Sequence, residues 1–174
     1  MPLLSPTAIR EIDMLVNGYY PDCDYVNVHA VDIAAGPADV WGAIPRALSE
    51  AAASPAIAWP IVLAAFVRRE GLRRPQRPPP PALSEGAEFG PWRVDRAVPQ
   101  REVVFAGAHR YARYVAGFYL EPLPDGGTRL YQVTRADFPG LADRLYLRGV
   151  KLFHDPLIES VLRRVRRLAE AASP

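Results

Sequence analysis

Polar and apolar positions alternate from Tyr25 to Ile33, with Val26, Val28, Ala30 and Asp32 on one side and Tyr25, Asn27, His29, Val31 and Ile33 on the other. A period of two is the pattern of a β-strand, and here it does not say which face is buried. Before it, Ile9, Ile12 and Val16 recur at helical spacing between Ser5-Pro6 and Gly18, which predicts a short amphipathic helix. After it, Val40, Trp41, Ile44 and Leu48 predict a helix over residues 38–48, with Pro45 expected to interrupt it. Pro60 opens a second helix, residues 61–70, apolar almost all round until Arg68 and stopped by Gly71.

Beyond Gly86 the period returns to two. Strands are predicted over residues 89–98, 102–106, 110–120 and 128–136. Their connections are short: Pro99-Gln100, residues 107–109, and residues 122–127, where Asp125-Gly126 is a hairpin signal. Short connections join antiparallel neighbours, so the strands form a meander and not a parallel sheet. Residues 141–172 are helical again. Leu157, Ile158, Val161, Leu162, Val165, Leu168 and Ala169 form one stripe, while Arg163, Arg164, Arg166 and Arg167 mostly face away. Pro156 should kink this helix or, with Asp155 as cap, begin a new segment.

The pattern predicts an α+β fold: an antiparallel β-sheet wrapped around a long C-terminal helix, with two short helices after the first strand. The chain length of 174 residues suits one domain, taken as residues 24–174 behind an N-terminal extension of residues 1–23. The run RRPQRPPPP, residues 73–81, is rich in proline, which lacks the amide donor and fixes φ, and reads as a stiff extended connection rather than a peptide ligand for another domain.

Composition narrows the functional classes only slightly. Apolar residues at 49% and charged residues at 23% describe an ordinary globular protein. The lone cysteine, Cys23, cannot form an internal disulfide, which fits a reducing, cytoplasmic setting. No signal peptide is recognised and no apolar run approaches the ~20 residues that span a bilayer. Residues 1–60 carry Arg10 and Arg46 against seven acids, a net −5, which leaves +7 to the rest of a chain whose total is +2. That asymmetry alone argues weakly for an anionic partner.

The segment DYVNVHAVDIAAGPADVWGAI (residues 24–44) resembles the opening strand and first helix of the START-like helix-grip superfamily, which includes polyketide cyclases, lipid-transfer domains and pollen allergens. EGAEFGPWRVDRAV (85–98) and YLEPLPDGGTRL (119–130) resemble its sheet. The segments AWPIVLAAFVRREGL and LADRLYLRGVKLFHDPLIESVLRRV resemble two helices of an uncharacterised bacterial subfamily with a Phe-His pair, here Phe153-His154, midway along the last helix. The resemblance covers about residues 24–172. It implies a fold and an apolar cavity between sheet and terminal helix, and it carries no mechanism.

No phosphate loop, G-x-G-x-x-G, H-E-x-x-H or C-x-x-C is present. His29, His109 and His154 share no ligand spacing, so neither a metal nor another cofactor is expected. His154 admits two readings: a cavity-lining donor or general acid/base, or a histidine bonded to carbonyls freed by the nearby proline. Aromatic residues gather on the last two strands. Alternation sets Tyr114, Ala116, Phe118 and Leu120, uncharged apart from one phenol, on the face taken as inward. Tyr114, Phe118, Tyr131, Arg135, Phe153 and His154 are therefore the candidate ligand-binding residues, for a hydrophobic or amphipathic small molecule. A plain packed core would explain the aromatics nearly as well. Two rival functions stand beside binding. One is a cyclase, dehydratase or hydrolase using His154 with Tyr114, Tyr131 or Arg135. The other is nucleic-acid or partner binding through RRVRR, residues 163–167, although the stripe opposite is committed to the core and no stacking aromatics accompany it.

Overall fold

A computed structural model describes residues 23–54, 82–89, 92–109, 112–138 and 140–173, with only the backbone of residues 109, 112 and 141–153. The expected N-terminal helix, the helix over 61–70 and the Pro-rich run lie outside the described residues. Chain order is β1 (Tyr25–Ile33), α1 (Pro37–Ala53), β2 (Glu88–Phe89), β3 (Trp92–Val98), β4 (Glu102–His109), β5 (Ala112–Pro122), β6 (Thr128–Asp137) and α2 (Leu141–Glu170). The strands form one sheet in the order β1-β6-β5-β4-β3-β2, and every pair is antiparallel.

Pro37 starts α1 in the first turn, where its missing amide costs nothing and its fixed φ suits a helix. Pro45, expected to interrupt α1, lies inside it. The ring is buried, and the Ser49 hydroxyl donates to the Pro45 carbonyl at 2.9 Å. Packing outweighs the lost hydrogen bond, because neighbours Ala43, Ile44 and Ala47 are committed to the core. Likewise α2 runs through Pro156 as one helix, so Asp155 is not a cap. Strand β4 continues to His109 instead of ending at Ala106.

The β5–β6 hairpin closes where the Asp-Gly signal places it. Gly126 has φ +86°, the left-handed conformation that glycine adopts without strain. The next residue must also be small, since a Cβ on Gly127 would stand 2.9 Å from the Ile33 carbonyl. This turn fixes a register in which Tyr119 faces Tyr131, Leu120 faces Leu130 and Phe118 faces Gln132. Even-numbered residues of β5 and β6 therefore share a face with odd-numbered residues of β1, because His29 pairs with Gln132 and Ile33 with Thr128.

That face is the inner one. Ile33, Val94, Val103, Phe105, Phe118, Leu120 and Leu130 pack there against Val40, Ile44 and Ala47 of α1 and Val161, Leu162, Val165 and Leu168 of α2. Burial of this kind stabilises by roughly 1.5–3 kcal/mol per large side chain, before entropy is subtracted. Phe89, Phe105 and Phe118 meet edge to face with centroids 5.2 and 6.1 Å apart. The face assigned inward by its lack of charge, Tyr114 through Leu120, is the inner face.

Candidate functional site

The inner face is not uniform along its strands. Toward Ile33 and Leu130 it is apolar. Toward Tyr25 it carries Asn27 and His29 from β1, with Gln132 and Thr134 from β6 opposite them. The first half of α2 lays His154 and Asp155 over this stretch. The Asn27 amide nitrogen donates to Asp155 Oδ1 at 2.5 Å, and His29 Nε2 stands 3.8 Å from the same oxygen. His154 Nδ1 is 3.4 Å from it. The Tyr25 ring meets the His154 ring edge-on at 5.9 Å, and the Tyr25 hydroxyl is 3.0 Å from the Asn27 amide nitrogen, which donates to it. Asp155 is thus the hub on which two strand residues and a helix histidine converge.

Electrostatics follow from this placement. Burial is the main force on His154 and lowers its pKa below the usual 6.5. Asp155 pulls upward and neighbouring His29 pulls downward. A neutral imidazole accordingly sits beside a carboxylate near neutral pH. Tyr25 is raised, chiefly by burial and then by the charge on Asp155, with the Asn27 amide opposing both. Its phenol stays protonated.

Gln132 is the most confined of the polar residues at this end, with 1% of its surface exposed. Its amide nitrogen donates to Thr134 Oγ1 at 2.8 Å and to the Val133 carbonyl at 3.2 Å. A carbonyl can only accept, so that contact fixes the orientation of the amide. The other atom, Oε1, is left buried without a hydrogen-bond partner among the described residues, and so is His29 Nε2.

The residues expected from sequence divide by face. Tyr114, Phe118 and His154 lie on the interior side: Phe118 in the apolar core, Tyr114 against Ala136, Phe138, Tyr25 and Trp92, with the Trp92 ring 4.5 Å away. Phe153 precedes His154 on α2, and its side chain lies outside the described residues. Tyr131 and Arg135, by contrast, lie on the opposite face of the sheet. Tyr131 packs with Tyr119 and Val133 there. Its hydroxyl donates to Glu121 Oε2 at 2.5 Å, and burial together with that carboxylate pushes its pKa up to about 12. Arg129 forks onto Asp32 on the same face, at 2.5 and 2.8 Å. Neither Tyr131 nor Arg135 can join His154, because in this register odd positions of β6 point away from α2. The sequence reading missed Asn27, His29, Gln132 and Asp155. Their signal was present as polar residues on alternate positions of β1 and β6, and only the strand pairing shows that they share a face.

The basic run of α2 is largely neutralised by neighbours. Arg163 pairs with Glu159, Arg166 with Glu170 and Arg167 with Glu50, at 3.5, 3.0 and 2.5 Å. Arg164 donates to the hydroxyl and carbonyl of Ser160. No group of histidine, cysteine and acidic side chains suited to a metal ion occurs among the described residues, and none of their helices is long and apolar enough to cross a membrane.

Residues 19–161 match the family described as "Protein of unknown function (DUF2867)". The chain belongs to that family. No curated protein matches the DUF2867 chain. Among solved structures it is similar to protein Ms6760 from Mycobacterium smegmatis, at 14% identity and a TM-score of 0.50 over 84% of this chain and 92% of that one. Protein MLL2253 from Mesorhizobium loti follows at 19% identity and TM-score 0.46, covering 82% and 98%. DynU16, from the dynemicin biosynthetic locus, aligns at 18% identity and TM-score 0.45 over 87% of this chain and 49% of its own. At these identities the similarity speaks for the fold alone. That fold is the expected helix grip: an antiparallel sheet closed over a C-terminal helix.

Proposed function

We propose that this DUF2867 protein binds an amphipathic small molecule between the inner face of the sheet and the first half of α2. The observation that carries this reading is a polar set which the protein does not satisfy by itself. Gln132 Oε1 and His29 Nε2 are buried without hydrogen-bond partners. A buried, unmade hydrogen bond costs about 1–3 kcal/mol, and such groups are few in native proteins. A guest that supplied the missing partners would recover that cost.

Accessible surface nearby supports the same reading. Ala116 lies on the inner face of a central strand, paired on both sides, and is only partly buried. Tyr25, Asn27, His29, His154, Leu157 and Ile158 around it are also only partly buried, whereas the apolar end closes completely around Leu130 and Val165. Apolar walls with few convergent polar groups are the usual form of a small-molecule site.

Native mass spectrometry of protein purified from cells, with a crystal structure of any complex, tests the proposal. An additional non-covalent mass, and density beside Gln132 and His154, is the expected result. An interior filled entirely by side chains at that end would overturn it.

An acid/base reaction is the second reading, and one observation favours it: burial keeps His154 neutral within 3.4 Å of Asp155. A neutral, carboxylate-oriented imidazole can take a proton from a bound substrate. Tyr25 and Tyr114 are the phenols on its side of the sheet among the described residues. Turnover of a bound guest that His154→Phe abolishes while binding persists would establish this reading.

A further inference from the structure

Resting on that reading, we infer that the polar end of the site recognises an uncharged hydroxyl group, and that Gln132 and His29 select it against a carboxylate. Three features of the cluster lead there.

The first is direction. Both hydrogens of the Gln132 amide are committed, to Thr134 Oγ1 and to the Val133 carbonyl. Gln132 therefore offers an incoming group an acceptor and no donor. An acceptor on a side chain only 1% exposed calls for a donor on the guest.

The second is the partner across the strand pair. His29 is directly opposite Gln132 in the register, so the two side chains are neighbours on one face. The Asp155 carboxylate, 3.8 Å from His29 Nε2, favours the tautomer with its proton on that nitrogen. His29 then offers a donor beside the acceptor of Gln132. A hydroxyl group both donates and accepts, and it matches this pair.

The third is charge. Asp155 Oδ1 already serves Asn27 and lies close to both histidines, and Gln132 presents its oxygen. A carboxylate entering here would face two acceptor oxygens and gain at most one donor. It would lose more hydration than the site returns. Tyr25, Tyr114 and Trp92 at the adjoining end provide flat apolar surface for the rest of the guest.

The test compares naphthalene, 2-naphthol and 2-naphthoate, which share one ring system, by titration calorimetry at neutral pH. Naphthol is expected to bind about tenfold more tightly than naphthalene, as one well-made hydrogen bond in a dry site would give, and naphthoate more weakly than either. In Gln132→Met, checked for native circular dichroism, the naphthol advantage should vanish while naphthalene affinity holds. Equal affinity for naphthol and naphthalene, or a preference for naphthoate, would overturn hydroxyl selection and leave the binding proposal standing. Failure of all three probes to bind the unmodified protein would count against both. The comparison on unmodified protein decides the matter even if the variant does not fold.

Discussion

The two ends of the interface between sheet and α2 are built from the same elements to opposite specifications. At one end Ile33, Leu120, Leu130 and Val165 are all but fully buried in the apolar core that the sheet shares with α1 and α2. At the other, Asn27, His29 and His154 gather at Asp155, and the buried Gln132 Oε1 and His29 Nε2 have no hydrogen-bond partner among the described residues. The first end gains stability from every contact. The second gives some up, because desolvated polar groups without partners cost free energy. Proteins commonly carry such local costs at functional sites, and the proposed binding site lies at this costly end.

The contrast can be broken or sharpened by substitution. The largest effect is expected from Leu130→Ala at the apolar end, a loss of about 2–5 kcal/mol in urea unfolding. A loss below about 1 kcal/mol would mean that this end is not close-packed. Asp155→Ala should cost about 1 kcal/mol, since its side chain is partly exposed, and its clearer mark is elsewhere. Asp155 holds the His154 pKa up against burial, so its removal should lower that pKa further in an NMR titration of the imidazole. An unchanged or higher value would remove Asp155 from its place as the hub.

Acidification has a definite sign. The folded-state pKa of His154 lies below 6.5, so the unfolded chain takes up the proton first. The contribution of His154 is fully present above 6.5 and is lost as the pH falls from there through the folded value. The groups facing it are Tyr25 and His29 from β1 and Asp155 from α2. His154→Phe should flatten this part of the stability–pH curve measured by thermal unfolding, and a parallel curve would contradict the assignment. Gln132→Met should change stability by less than about 1 kcal/mol, because an unpartnered acceptor is removed together with two amide bonds. A loss as large as that of Leu130→Ala would make Gln132 a core residue and not a binding one. The smallest change, within about 0.5 kcal/mol, is expected for Arg163→Gln, which removes one exposed i,i+4 pair only.

Much of the architecture could be read from periodicity. The alternation of residues 25–33, the Asp-Gly turn and the stripe from Leu157 to Ala169 each mark an element that the fold contains. The prolines were harder. Pro45 and Pro156 look like interruptions by local rule, yet both helices run through them. Packing of the flanking turns outweighs the single backbone bond each proline removes. Of the candidate residues, Tyr114 and Phe118 could be assigned to the inner face by alternation, and His154 stood out by its chemistry. Tyr131 and Arg135 were chosen by the same chemistry and lie across the sheet, because their parity relative to Tyr119 depends on the hairpin register.

By itself, then, the sequence determined most of the strands and helices among the described residues, that the strands are antiparallel, and which stripe of α2 is buried. These are local properties, set by the spacing of apolar side chains and the conformations open to glycine and proline. Only the tertiary structure decided that Asn27, His29, Gln132, Thr134, His154 and Asp155 form one cluster, drawn from residues more than a hundred positions apart. A shift of one residue in register would have sent the β6 members to the other face, and nothing within a single strand specifies that register.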